Sequence, residues 1–441
     1  MFKMVTKISN KTFKDNNANK DKLSSLALVE NNKRIENVLI LQGGGSLGAF
    51  GCGVYKELTK NNIHLDIIAG TSIGGINAAI MVGSKDEKHP EQLLEQFWLE
   101  LADSYIDLDK TALPHPSDSI FQLIEQFMPF RSYYYDDLRL LSQQEIYLTN
   151  ANEYERRIKQ LKAFYSSAIF GNDKMFRPRW MHNNALADPE YFTPLKWTYM
   201  YDHSPLAKTL EKYIDFDKLR PKGNPNTRLI LTAVNILTAE SLTFDSYKQQ
   251  ITPKHILATS AYPLYNFPWI EVQDGIFAWD GGLLSNTPLR EVLDVSPIND
   301  KIIFLVENYP KKIDALPKNL PEVHHRARDI IFSDKTEHNI TLSKIITQYL
   351  RYIDELYQII EEHIEPAKID KQQLKRIRLK YKRYKQEHGA EIKEIFYITR
   401  KEPFPNMYEN ADFSPETIRN EIKEGEMKAL QAIKNTNKIN L

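Results

Sequence analysis

Gly70-Thr71-Ser72-Ile73-Gly74 fits G-x-S-x-G, a pattern that sets a serine on a sharp strand-to-helix turn with its hydroxyl exposed. Such a serine can attack an acyl carbon if a base takes its proton and donors hold the resulting oxyanion. Donors are suggested upstream, in Gly43-Gly44-Gly45-Ser46-Leu47-Gly48. Successive glycines before a helix aim several backbone N–H groups at one point, with the positive end of the helix dipole behind them. One glycine would make a tight turn; three in a row imply that something sits on the backbone. For the base, two choices are open. Asp280 stands before Gly281 and Gly282, and His324 and His325 lie further downstream. An aspartate, with a reference pKa of about 3.9, is a poor base for a hydroxyl unless it is buried. Asp-Gly is also a common turn pair.

Two nucleotide readings compete for the first glycine loop. It formally fits G-x-G-x-x-G, but that fingerprint needs an acid at the end of the second strand. Here Asp66 begins that strand and Ala69-Gly70-Thr71-Ser72 ends it. No Gly-Lys-[Ser/Thr] follows the glycines, so a P-loop is excluded as well.

The elements that must carry these loops are legible in the hydrophobic pattern. Asn37–Gln42 is a short apolar run ending at glycines, the pattern of a buried strand. Phe50, Val54 and Leu58 repeat at helical spacing and predict a helix to about Asn61. Leu65–Ala69 reads as a second buried strand and Ile73–Val82 as a buried helix. Strand–helix–strand–helix with short links is the unit of a parallel sheet covered on both faces. Residues 91–220 read as a helical, aromatic-rich cap insertion, with Tyr133, Tyr134, Tyr135, Phe164, Tyr165, Phe176 and Trp180. Strands resume at Arg228–Asn235 and Leu242–Phe244, a short helix is expected at His255–Thr259, and strands again at Ile276–Trp279 and Lys301–Val306. Beyond about residue 321 the pattern is helical and charged. The expected organisation is a flexible tail over 1–34, a catalytic domain over 35–310 and a helical C-terminal extension over 311–441.

Composition narrows the class. The chain has 441 residues, 42% hydrophobic and 26% charged, enough for a sizeable core. Ten of its 17 glycines fall between Gly43 and Gly83, so left-handed turns and close approaches are concentrated there. Lys+Arg and Asp+Glu are both 58, which argues against a nucleic-acid binder. That balance hides two basic segments, 1–34 and 371–385; the second can dock on anionic lipid or form a solvated helix face. A single cysteine, Cys52, excludes an intramolecular disulfide and a zinc cluster, and its small neighbours suggest close packing. No apolar run reaches the roughly 18 residues of a spanning helix, and no secretory signal is visible. A cytoplasmic protein is the simplest reading.

These parts together resemble the patatin-like phospholipase family. The resemblance rests on the two glycine loops and on Asp280-Gly281-Gly282. It extends to Ala258-Thr259-Ser260-Ala261-Tyr262-Pro263 and Ser285-Asn286-Thr287-Pro288. A bacterial branch also shares stretches similar to Phe176–Trp180, Tyr201–Leu206 and Asp412-Phe413-Ser414. The resemblance covers roughly residues 36–435. It implies a three-layer α/β/α sandwich with a mainly parallel central sheet, and a serine acyl-ester hydrolase with a Ser–Asp dyad. Ser72 would be the nucleophile and Asp280 the base. The backbone of Gly43, Gly44, Gly45 and Ser46 would form the oxyanion hole, supported by Gly48, Gly70, Gly74, Gly281 and Gly282. No cofactor or metal is implied. The implied partner is a lipid or other acyl-ester substrate, with peripheral membrane contact and no nucleic acid. Leu47 departs from the family, which usually has a basic residue in the glycine loop, so the hole would rely on backbone donors and dipole alone.

Some members of that branch look like intracellular polyhydroxyalkanoate depolymerases, so a generic acyl ester is the safer substrate. A different class of protein, a catalytically silent membrane-associated scaffold of the same fold, is opposed by the intact Ser72 and Asp280. With a dyad in place, His324 and His325 have no task and are expected at the surface. Arg177 and Arg179 are expected to contact substrate from the cap or to form salt bridges.

Overall fold

The computed structural model describes residues 34–107, 151–181, 193–295, 297–318, 320–333, 336–363, 370–388, 390–401 and 409–436. The tail over 1–33, Tyr133–Tyr135 and much of the cap segment lie outside them. The first strand, β1 (Ile35–Leu41), is followed by α1 (Gly48–Lys60), β2 (Ile67–Gly70) and α2 (Ile73–Val82), which is the order and spacing that the apolar pattern predicts. Helix α3 (Pro90–Asp103), α4 (Ala151–Phe170), the short strands β3 (Arg177–Pro178) and β4 (Tyr201–Asp202), and α5 (Ser204–Tyr213) occupy the cap segment. Then come β5 (Arg228–Asn235), β6 (Ser241–Asp245), α6 (Pro253–Thr259), β7 (Ile270–Gln273), β8 (Ile276–Asp280), α7 (Leu289–Leu293) and β9 (Asp300–Glu307). The chain continues through α8 (Leu320–Phe332), α9 (Thr336–His363), α10 (Lys371–His388), β10 (Ile392–Thr399) and α11 (Pro415–Thr436).

Eight strands form one mixed sheet in the order β10-β9-β1-β2-β5-β8-β7, with β6 on β5. Helices flank it, as the α/β class requires. At its centre β1, β2 and β5 are parallel: Leu41 lies beside Gly70 and Gly70 beside Leu231. Strands buried on both faces must be apolar throughout, and Val38–Leu41, Ile67–Gly70 and Leu229–Val234 are all buried. Strand β8 runs antiparallel to β5, with Asp280 beside Ala233. The sheet therefore delivers the end of β2 and the end of β8 to the same region of β5.

Two compact units divide the chain. One holds residues 37–292, 303–341 and 395–441, and so includes both glycine loops and Asp280. The other holds residues 34–36, 293–302 and 342–394 among those described. Within the latter, Tyr357 of α9 stacks on Tyr381 of α10 at 4.4 Å between ring centroids. Lys375, Arg376, Arg378, Lys380 and Arg383 are exposed along α10.

The region after residue 311 is not uniformly helical. Ile392–Thr399 is a strand at the sheet edge, and α11 belongs to the same unit as the glycine loops. Helix α11 crosses α1 in backbone contact. A Cβ on Gly53 would lie 1.8 Å from the Ile422 carbonyl oxygen, and one on Gly425 would lie 2.1 Å from that of Phe50. Cys52, beside this crossing, is fully buried, and burial pushes its thiol well above the usual range. That fits the packing reading.

His203, just before α5, is buried with neither ring nitrogen hydrogen-bonded among the described residues, its ring 5.2 Å from that of Phe267. Burial pushes its pKa down to about 4. The unfolded chain takes up a proton near 6.5 while the folded one resists it. Stability therefore falls as pH drops from about 6.5 to about 4, by up to about 3 kcal/mol. His203→Phe is expected to flatten the acid side of the melting-temperature profile, read by thermal unfolding from pH 4 to 7. An unchanged acid slope would refute this.

Candidate active site

The turn after β2 is tight. Gly70 and Gly74 face each other so closely that a Cβ on Gly70 would lie 2.2 Å from the Gly74 carbonyl oxygen. Between them Ser72 takes φ 57° and ψ −131°, left-handed backbone in which a serine is strained. Its N–H donates to Thr259 Oγ1 at 3.2 Å, and the turn is tied back by the Thr71 N–H to the Leu41 carbonyl. Ser72 is half-buried, so its hydroxyl is held at the surface of the core rather than in it.

Thr232 of β5 joins the two halves of the site. Its Oγ1 shares a hydrogen bond of 2.7 Å with Thr71 Oγ1. The same hydroxyl and the Thr232 carbonyl meet Gly281, where a Cβ would fall 2.6 Å from Thr232 Oγ1. One strand residue thus fixes the serine turn and the aspartate turn against each other. Asp280 is 1% exposed, and its Oδ1 accepts the Gly282 N–H at 2.7 Å. Its Oδ2 is buried with no well-formed hydrogen bond. Burial pushes the Asp280 pKa up to about 7, against the Ser72 hydroxyl and the Gly282 N–H, which both favour the charged form. The carboxyl, which titrates near 3.8 in the unfolded chain, thereby changes charge near neutrality in the folded one.

The first glycine loop leaves β1 and makes one 3₁₀ turn over Gly45–Leu47 before α1. Gly43 lies directly against the serine turn: a Cβ there would stand 2.8 Å from Ser72 Cβ. The Gly43 N–H donates to Asn286 Oδ1 at 3.1 Å, so it is already engaged and is not open to an oxyanion. A frame of amides holds the loop. Asn308 Nδ2 donates to the carbonyls of Gln42 and Gly43 at 3.1 and 3.0 Å, and Gln42 Nε2 donates to Thr287 Oγ1 at 2.9 Å. Gly48 starts α1, and its carbonyl accepts Asn77 Nδ2 at 2.8 Å, which ties the first turn of α1 to α2. Leu47 is buried, so the side chain that replaces the family's basic residue is turned into the core.

His325 is placed differently from the surface expectation, while His324 is partly exposed. His325 is 2% exposed, packed against Arg328, Asp329 and Glu409. Its Nε2 is 2.9 Å from an Arg328 nitrogen and its Nδ1 is 3.4 Å from Asp329 Oδ2. It is short and polar on a charged helix, so the sequence offered no sign of this burial. Arg179 is buried too, with its guanidinium over the rings of Trp197 and Tyr199 at 4.8 and 4.7 Å. Thr232, Thr259, Asn286 and Asn308 escaped sequence reasoning as site residues. Only Thr259 and Asn286 had a signal, lying in stretches shared with the family.

No helix among the described residues is long and apolar enough to cross a membrane. Exposed apolar side chains lie next to the aspartate turn and the Tyr262 stretch. Leu283 and Leu284 follow the aspartate turn and are 37% and 53% exposed, and Leu264 is 61% exposed. Ile331, 70% exposed, precedes Phe332, whose ring is 5.7 Å from that of Tyr262 and whose carbonyl accepts Asn286 Nδ2.

Comparison with known proteins gives a partial relative and several distant structures. Over 60 residues the chain is 40% identical to the triacylglycerol lipase SDP1L of Arabidopsis thaliana, covering 14% of this chain and 7% of that protein. VipD from Legionella pneumophila aligns over 91% of this chain and 67% of its own, at 14% identity and a TM-score of 0.36. The type III effector ExoU aligns over 91% and 53%, at 12% identity and a TM-score of 0.29. The model of the patatin-like phospholipase family matches residues 39–293, more than half of the chain, and spans both glycine loops, Ser72 and Asp280. On that match, the chain belongs to the patatin-like phospholipase family.

Proposed function

We propose that this protein is a lipid acyl hydrolase that cleaves carboxylic esters with Ser72 and Asp280. The observation that carries the reading is a buried carboxyl set beside a serine on a strained turn, a burial that pushes its pKa up to about 7. Ser72 Oγ attacks the ester carbonyl carbon and its proton passes to Asp280. The oxyanion is received by the N–H groups of Gly44 and Gly45, with Ser46 completing the turn and the N-terminus of α1 behind it. Collapse of the tetrahedral intermediate expels the alcohol, which takes the proton from Asp280. Water, deprotonated by Asp280, then attacks the acyl-serine. A second collapse releases the carboxylic acid and returns the proton to Ser72.

A lipid substrate is favoured by the exposed apolar side chains of Leu264, Leu283, Leu284 and Ile331, since exposed apolar patches mark sites of lipid or protein contact. Contact with a lipid surface is then peripheral and brings the ester to the mouth of the site. A fluorophosphonate probe is expected to label Ser72, located by mass spectrometry of the modified peptide. The logarithm of kcat/KM is expected to rise with pH and level off above about 7, as Asp280 loses its proton in the free enzyme. A protein that is not labelled, or a profile flat from pH 5 to 8, would count against this chemistry.

A further inference from the structure

Three consecutive residues of the glycine loop are held from outside the family segment. Ser46 Oγ donates to the Glu409 carbonyl at 2.6 Å. Gly45, at φ 60°, is backed by the Asn410 carbonyl so closely that a Cβ would fall 2.3 Å from its oxygen. Gly44 faces Tyr309, whose hydroxyl would lie 3.4 Å from a Cβ at that position. Asn410 Nδ2 in turn donates to the Tyr309 hydroxyl.

The residues that make these contacts are themselves fixed. Glu409 is bound through both carboxylate oxygens, by Arg328 at 2.6 Å and by Arg400 at 3.0 Å. Arg400 is held by Glu421 of α11 at 2.9 Å, and Arg328 also donates to Asn410 Oδ1 at 2.7 Å. Glu409, Asn410 and Arg400 are buried, and buried paired charges are costly to separate. If this network only fastened the C-terminal region, its contacts could fall anywhere on the surface of α1. They converge instead on Gly44–Ser46.

We propose that Glu409 and Asn410 are positioning residues of the hydrolytic site. They hold the glycine loop in the geometry that receives the oxyanion. This rests on the hydrolase reading above. Oxyanion donors act only when pre-aimed, and a misplacement of about 1 Å can cost roughly 100-fold in rate. The side chains touch no substrate; they act through the backbone of Gly44, Gly45 and Ser46.

Two variants test this on the full chain with a p-nitrophenyl ester. Ser46→Ala removes only the hydrogen bond to the Glu409 carbonyl. Asn410→Ala removes the side-chain bonds to Tyr309 and Arg328. Both are expected to lower kcat roughly 10- to 100-fold with KM within about threefold, since the loss falls on the transition state. The rate of fluorophosphonate inactivation should fall by the same factor, because its phosphoryl oxygen uses the same donors. Ser46→Thr, which keeps the hydroxyl, should recover most of the loss. Should Asn410→Ala fail to fold, the Ser46 pair decides alone. A kcat within about twofold of wild type in the folded variants overturns the proposal if Ser72→Ala is inactive. If Ser72→Ala keeps its activity, the hydrolase reading falls and this proposal with it.

Discussion

Asp280→Asn is expected to bring ester hydrolysis down by roughly 1,000-fold or more, the upper range for a positioned base, while making the protein more stable above pH 7. The two effects share one cause. In the folded chain the carboxyl keeps its proton to about pH 7, whereas the unfolded chain releases it near 3.8. Between these values only the folded state holds the proton, so stability falls as pH rises across the window. Above it the folded state carries a buried charge at a cost of up to about 4 kcal/mol. Asparagine removes that charge, keeps the acceptor for the Gly282 N–H and offers Ser72 a donor. The difference in melting temperature between variant and wild type should be small at pH 4, widen to about pH 7 and then stay constant. Activity within tenfold of wild type would remove Asp280 from its role. A parallel loss in His325→Ala alone would point to the histidine, although its nitrogens face Arg328 and Asp329.

Gly43→Ala is expected to abolish most activity through a single methyl group. That group would sit 2.8 Å from Ser72 Cβ and 2.5 Å from Asn286 Oδ1. Neither neighbour can yield freely. Ser72 is fixed by its strained turn and Asn286 by its bond to the Phe332 carbonyl. Loop and serine must therefore separate, which misaims both parts of the proposed reaction. A fall in kcat/KM of roughly 100- to 1,000-fold is expected, with loss of fluorophosphonate labelling at Ser72. A labelling rate equal to wild type would contradict the close packing of loop and serine.

The parts of the site written in consecutive residues were legible. Gly70–Gly74 and Gly43–Gly48 declare their backbone needs locally, because glycine is informative wherever a chain must turn or touch. Asp280 was visible as a strand-end acid before two glycines. Its partnership with Ser72 depends on β8 pairing with β5, which no local pattern states. Thr232 sits in a fully buried strand and reads as an ordinary β-branched core residue. The amides of Gln42, Asn308 and Asn410 carry no periodic signal; their meaning comes only from what the fold places opposite them. Strand β10 was hidden for another reason. Ile392–Thr399 lies in a stretch dominated by charged helical pattern, with no proline to mark its start. It is a strand because β9 offers it an edge.

The crossing of α1 by α11 at Gly53 and Gly425 also sets an order in time. During synthesis, residues 39–293 emerge first and hold every atom of the proposed chemistry. The turn at 409–410 that meets the glycine loop and the helix that covers α1 are complete only roughly 140 residues later, which takes roughly 7–30 s at ordinary translation rates. Until then the face of α1 that α11 covers is open. If the loop needs its clamp, the nascent chain stays inactive toward an ester until residues 409–410 have emerged and packed against Gly45 and Ser46.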